Sequence, residues 1–267
     1  MSTNYKSFQI INIFAVALTI AMNILANILP FNGVNTGEVA DYFLNYFTPQ
    51  GYVFAIWFII YILLLVFVFY QAKADQVSEE YLAKIGYLYL IGAILNVAWL
   101  LVFHYSYGND PLLIWTEPLI GGLLIVLLIT YVKLEIGVKE VPLKQKLAVH
   151  LPVSVYVGWI SLATIANTAS VLNSAFVIPL DVQYLWTALV LVVALLITSL
   201  MLMLRRDIAY ALVVVWAAPG IALKWSLIPI IFWSATLVTI IVILLIILIP
   251  VIRRKNPVDY YLVRNLE

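Results

Sequence analysis

The chain has no cysteine, only two histidines, and a charge on just 10% of its 267 residues. Without cysteine there is no disulfide framework, no thiolate metal site and no cysteine nucleophile. Two histidines leave too little for a histidine-rich metal centre, so no metal ligands are assigned. A formal net charge of +1 provides neither a basic field for nucleic acid nor an acidic disordered tail. Soluble domains carry about 25% charged residues, whereas here 65% of the residues are hydrophobic. What these absences leave is an all-α integral membrane protein.

About 20 apolar residues cross the hydrocarbon core as a helix. Eight stretches meet or approach that length: 8–30, 52–70, 86–107, 112–132, 148–172, 184–204, 207–223 and 227–252. The seventh is short and interrupted by Pro219-Gly220. The first is read as a retained helix and not a signal peptide, because its run is long, one Lys precedes it and no A-x-A site follows. Eight spans place 13 of the 14 cationic side chains on one side, including Lys6, Lys84, Lys139, Arg205, Arg253 and Arg264. Only Lys224 falls on the other side. By the positive-inside rule both termini are then cytoplasmic.

The outer loops are short except 31–51, FNGVNTGEVADYFLNYFTPQG, which has no Lys or Arg. Thr36 can cap a short helix there, with Val39, Phe43 and Phe47 on one face at i, i+4 and i+8. The segment is either an interfacial helix or, with Tyr42, Phe43, Tyr46 and Phe47, a lid over a cavity.

Polar residues inside spans face other helices or a cavity, because lipid leaves them unsatisfied. Asn23 and Asn27 lie in the outer half of the first span, Trp57 and Tyr61 in that of the second. Asn96, Trp99 and His104 follow in the third, Glu117 in the fourth, and Trp159, Ala163, Thr164 and Asn167 in the fifth. Each has a structural alternative: Asn as interhelical glue, Trp as packing, Glu117 as a hydrated surface acid. Their convergence on one half of five helices describes an aromatic pocket with a few fixed polar groups.

The strings PQGYVFAIWFIIYILL at 49–64, LNVAW at 95–99 and YVGWISLATIAN at 156–167 resemble three motifs of one family. It is the tryptophan-rich sensory protein (TspO/MBR) family, which includes the translocator protein or peripheral benzodiazepine receptor. The resemblance covers 1–173, the family's five-helix unit, and makes 174–267 a three-helix extension with a basic tail, as in longer bacterial members. Two departures stand out. Pro49-Gln50-Gly51-Tyr52 replaces the family's paired prolines and Trp, with Tyr52 to Trp57 one residue shorter than the usual Trp-to-Trp spacing. The cholesterol-recognition pattern of animal members is missing, since no Lys or Arg occurs between 147 and 204. A loose match at 258–264 lies in the tail, so sterol binding is not implied.

The resemblance implies a multi-pass protein of a bacterial-type plasma membrane that binds a tetrapyrrole such as protoporphyrin under the loop after the first span. Tyr52, Trp57, Tyr61, Asn96, Trp99, Trp159, Ala163 and Asn167 would line the site, with Asn23, Asn27 and Glu117 as further polar groups and 31–51 as the lid. Aromatic faces suit a flat macrocycle, and no covalent cofactor is expected.

The leading reading is a membrane receptor or sensor for a hydrophobic small molecule. Two alternatives stay open: a small secondary transporter of an amphipathic metabolite, and ligand-dependent porphyrin degradation. A transporter lacks support from any internal repeat. An enzyme has little to work with, since no Ser-His-Asp arrangement and no carboxylate pair at helical spacing occurs in the spans; no catalytic residue is assigned. The expected partners are the bilayer and the ligand, with no nucleic acid. The aliphatic last three spans read as packing or oligomerisation surface, which leaves a homodimer open.

Overall fold

The computed structural model describes residues 5–262, so Arg264 and the end of the 258–264 match lie outside the described residues. Among the described residues every regular element is a helix. They are α1 Lys6–Ile28, α2 Thr36–Tyr42, α3 Ile56–Gln71, α4 Glu80–Ile85, α5 Leu88–Ser106, α6 Thr116–Lys133, α7 Leu143–Gln145, α8 Leu151–Ala175, α9 Leu180–Arg205, α10 Ile208–Lys224, α11 Pro229–Ile252 and α12 Pro257–Leu262. Short 3-10 turns precede α3 (Gly51–Ala55) and α6 (Asp110–Trp115), and one turn of π-helix (Lys146–His150) leads into α8.

Seven of these segments are long and apolar enough to cross a membrane. In six of them 28–39% of the most apolar window is buried, but around α8 the share is 72%, which makes α8 the central helix. The low burial elsewhere is what a lipid-facing ring requires, because the aliphatic residues there need no protein partner. The eighth apolar helix, α10, has 17 residues, roughly 25 Å of rise against a ~30 Å hydrocarbon core. It is wrapped by α8, α9 and α11, and Ala211, Val214, Ala218 and Ile221 on it are buried. Pro219-Gly220 does not end this helix, contrary to the expected interruption: α10 runs through Pro219 to Lys224.

The 173/174 division falls near the 176–179 link between α8 and α9, and one hydrophobic core continues across it. Gly158 of α8 lets α10 come close; a Cβ there would lie 3.2 Å from Val213, and small residues allow such backbone approach in membrane bundles. Asp207 caps α10, its carboxylate accepting from the Tyr210 backbone N–H (3.0 Å) and the Tyr131 hydroxyl (2.8 Å).

Candidate functional site

The long outer loop is fixed from its first turn. Asn35, not Thr36, caps α2: its side-chain oxygen accepts from the backbone N–H of Gly37 and Glu38 at 2.9 and 3.0 Å. The Glu38 carboxylate returns the favour to the Asn35 N–H at 2.7 Å, completing a capping box. This frees the Thr36 hydroxyl to meet Nε2 of buried His104 at 3.3 Å. Nδ1 of that ring lies 2.8 Å from the Leu100 carbonyl. A carbonyl only accepts, so Nδ1 carries the proton and Nε2 accepts from Thr36.

The loop helix stops at Tyr42, so Val39, Phe43 and Phe47 all reach the interior, the last through a turn instead of a third helical repeat. Asn45 pins that turn, accepting from the Phe47 N–H (3.0 Å) and donating to the Ser170 hydroxyl of α8 (2.8 Å). The four expected lid residues point different ways. Phe47 faces inward; Phe43 is buried beneath the loop; Tyr46 meets Tyr184 and Trp225 edge-on, each at 4.7 Å. Tyr42 lies on the surface and donates to Asp110 at 3.1 Å, which holds its hydroxyl above the usual tyrosine pKa.

Under the loop is an almost wholly apolar cavity of about 70 Å3, walled by Phe47, Phe54, Trp57, Trp99, Phe103 and Trp159. Phe54 and Trp57 stand edge-on to Trp159 at 5.9 and 6.2 Å, and Trp99 stacks on Phe103 at 4.9 Å. Such stacked and T-shaped arrangements are the favourable ones for aromatic quadrupoles. Of the expected site residues, Trp57, Trp99, Trp159, Ala163 and Asn167 share this wall.

Tyr52, Tyr61 and Asn96 do not. Tyr52 is half-exposed with its ring against Trp216 at 5.6 Å, and Tyr61 stacks behind Trp57 at 5.9 Å. Asn96 is fully buried and its side-chain oxygen accepts from the Asn23 amide at 2.7 Å, tying α5 to α1. Asn27 is exposed and donates to the Asn23 carbonyl. Glu117 lies behind the wall, accepting from the Asn167 amide (2.8 Å) and the Thr168 hydroxyl (2.7 Å). Asn167 in turn accepts from the Trp99 indole N–H at 3.2 Å. This chain orients both wall residues and spends their polar groups within the protein. The indole N–H of Trp159, only 4% exposed, has no partner.

Two wall residues, Ala217 and Ile221, come from α10, a helix that sequence reasoning treated as packing. They carry no polar atom or motif to mark them. The same helix holds the loop down. The Gly220 carbonyl accepts from the Gln50 N–H (3.1 Å), and Trp216 and Trp225 donate to the carbonyls of Val53 (2.9 Å) and Thr48 (3.1 Å). At the rim Lys224 pairs with Asp41 at 2.6 Å. Gly220 is needed there because a Cβ would fall 2.2 Å from Val53 Cγ2.

Neither a curated protein nor a solved structure matches the chain. The model of the TSPO-like protein family matches residues 9–249, across both the five-helix part and the three following helices. Seven long apolar helices, an aromatic chamber under a capped outer loop and that family match agree: this multi-pass membrane chain belongs to the TSPO-like protein family.

Proposed function

We propose that the protein is a membrane receptor that takes a flat, hydrophobic ligand into the aromatic cavity, with Trp159 donating to an acceptor on it. The aromatic cavity carries this reading, and the unpartnered Trp159 N–H, buried in its wall, becomes a donor to the ligand when the wall parts. A buried donor without a partner costs about 1–3 kcal/mol, and a ligand carbonyl or ring nitrogen would recover it. No charged side chain lines the cavity, so the favoured ligand is neutral where it is enclosed.

The cavity volume of about 70 Å3 is small beside the roughly 300–1,000 Å3 of sites that enclose drug-sized molecules. A tetrapyrrole, the ligand class implied by the motifs, therefore requires the loop to lift and the aromatic walls to part. The lid is latched by α10, which gives the last three helices a part in ligand admission.

Titration with protoporphyrin in nanodiscs, followed by tryptophan quenching and the Soret band, tests this. Saturable binding that weakens in Trp159→Phe but persists in Asn96→Leu is expected. Non-saturable uptake, or equal binding by wild type and Trp159→Phe, would refute the assignment.

The reading includes eight spans with both termini cytoplasmic, supported by the segregated cations and by Lys224 meeting the outer loop. The cysteine-free background makes this directly measurable. An impermeant maleimide applied to intact cells should label Ser226→Cys and not Glu140→Cys; the reverse pattern would invert the topology.

A further inference from the structure

We propose that a groove between α8 and α9, which adjoins the aromatic cavity across Asn45 and Phe47, binds one membrane lipid from the lid-side leaflet, with a zwitterionic, amine-bearing head group. The inference does not depend on what the aromatic cavity holds. Although α9 follows α8 directly, it packs on α10 and α11, leaving a cavity of about 390 Å3 between itself and α8. Ile165, Ala169 and Leu172 form one wall; Trp186, Val190 and Ile197 form the other. Trp186 and Ile197 are 60% and 42% exposed, so the groove opens sideways, where the surrounding medium is lipid.

Its dimensions match an acyl chain. The α9 stripe from Trp186 to Ile197 rises roughly 16 Å, about half of the ~30 Å hydrocarbon thickness, which is the reach of one leaflet. At the lid end the groove meets a second, polar cavity of about 430 Å3, sharing Tyr46, Asn173 and Gln183 with it. Both Asn173 amide donors and one of the two on Gln183 are already committed. Asn173 donates to the Leu44 carbonyl and the Gln183 side-chain oxygen, both at 3.1 Å, and Gln183 donates to the Ile178 carbonyl at 2.8 Å. The only charged group left for a head group is the Asp110 carboxylate, beside the Asn173 side-chain oxygen and the neutral donors of Ser174 and Gln183, and neither cavity has a Lys or Arg in its lining. An anionic head would find no cation, whereas an ammonium finds a carboxylate.

Native mass spectrometry of the full chain, released from nanodiscs of equal phosphatidylethanolamine and phosphatidylglycerol, tests the proposal. One retained lipid per chain is expected, ethanolamine over glycerol by about fivefold, the low end for a solvent-facing charge-assisted hydrogen bond. Asp110→Asn should erase the preference. Ala169→Phe and Val190→Trp, which fill the groove from opposite walls, should abolish retention while keeping the wild-type circular dichroism. A readout with the groove intact guards against misfolded variants: phosphatidylethanolamine with a brominated chain should quench a component of emission that is absent in Trp186→Phe. Equal retention of both lipids overturns the head-group assignment. Retention that survives both filling substitutions, or quenching unchanged in Trp186→Phe, places the lipid elsewhere. A wild-type dimer that dissociates when the groove is filled makes a second copy the occupant.

Discussion

Asn96 and Asn167 look alike in the sequence, each an amide deep in a tryptophan-bearing helix, yet they do different work. Asn96 spends its oxygen on Asn23 of α1, and Asn167 spends both ends on Trp99 and Glu117. Asn96→Leu should lower stability by about 0.6–2 kcal/mol, read by thermal unfolding in detergent, with ligand affinity kept. Asn167→Leu should cost about 1–3 kcal/mol, because it leaves the Trp99 N–H unpartnered and the Glu117 carboxylate with Thr168 alone, and should also weaken binding by releasing Trp99. Trp159→Phe removes the donor and shrinks the buried indole to a phenyl ring, so affinity should fall at least about five- to tenfold, near 1–1.4 kcal/mol, together with a lower unfolding temperature from the lost packing. Trp57, Trp99 and Trp159 were legible as wall residues because spacing gives depth along a helix. Rotation toward a neighbour is set by packing, which is why Asn96, one turn from Trp99, could not be placed against α1 from its position alone.

Among elements, the loop before α3 is tied to α10 by polar contacts at Asp41, Thr48, Gln50 and Val53. The Lys224–Asp41 pair is solvent-facing on the aspartate side, 68% exposed, and such pairs contribute about 0–1 kcal/mol. Lys224→Met should therefore leave the melting temperature nearly unchanged while raising both the association and dissociation rates of ligand in stopped-flow quenching. Equal rates in variant and wild type would show that the latch lies in the Thr48, Gln50 and Val53 contacts instead. Gly137 makes a comparable demand on the opposite side of the bundle. Its φ is +76°, and a Cβ would overlap the Arg205 carbonyl oxygen. Gly137→Ala should destabilise by about 2–4 kcal/mol, through backbone displacement and a disfavoured φ, measurable as a lower unfolding temperature. The loop helix was legible from its amphipathic spacing, but its cap was assigned one residue late, because Thr and Asn are both good caps and only His104 decides which is free. In IAYALVVVWAAPGIALK, the sequence of α10, Ala217 and Ile221 are aliphatic residues with nothing to signal that they enter the cavity.

For the whole molecule, α8 and α10 form a protein-wrapped centre and the remaining long helices a lipid-facing ring. The apolar runs and the segregation of Lys and Arg make this general layout readable from sequence. The order of packing is not readable, because aliphatic helices carry no polar groups that pair them, and α9 turns from α8 toward α11 by shape alone. The lid and its latch are 183 positions apart, from Asp41 to Lys224. At about 5–20 residues per second of synthesis, the latch emerges roughly 10–40 s after the lid. If the 31–51 loop is the lid we propose, the chamber is built open and covered only when α10 arrives, so a ligand present at the ribosome would be enclosed as the chain finishes, whereas one that comes later would wait for the loop to lift.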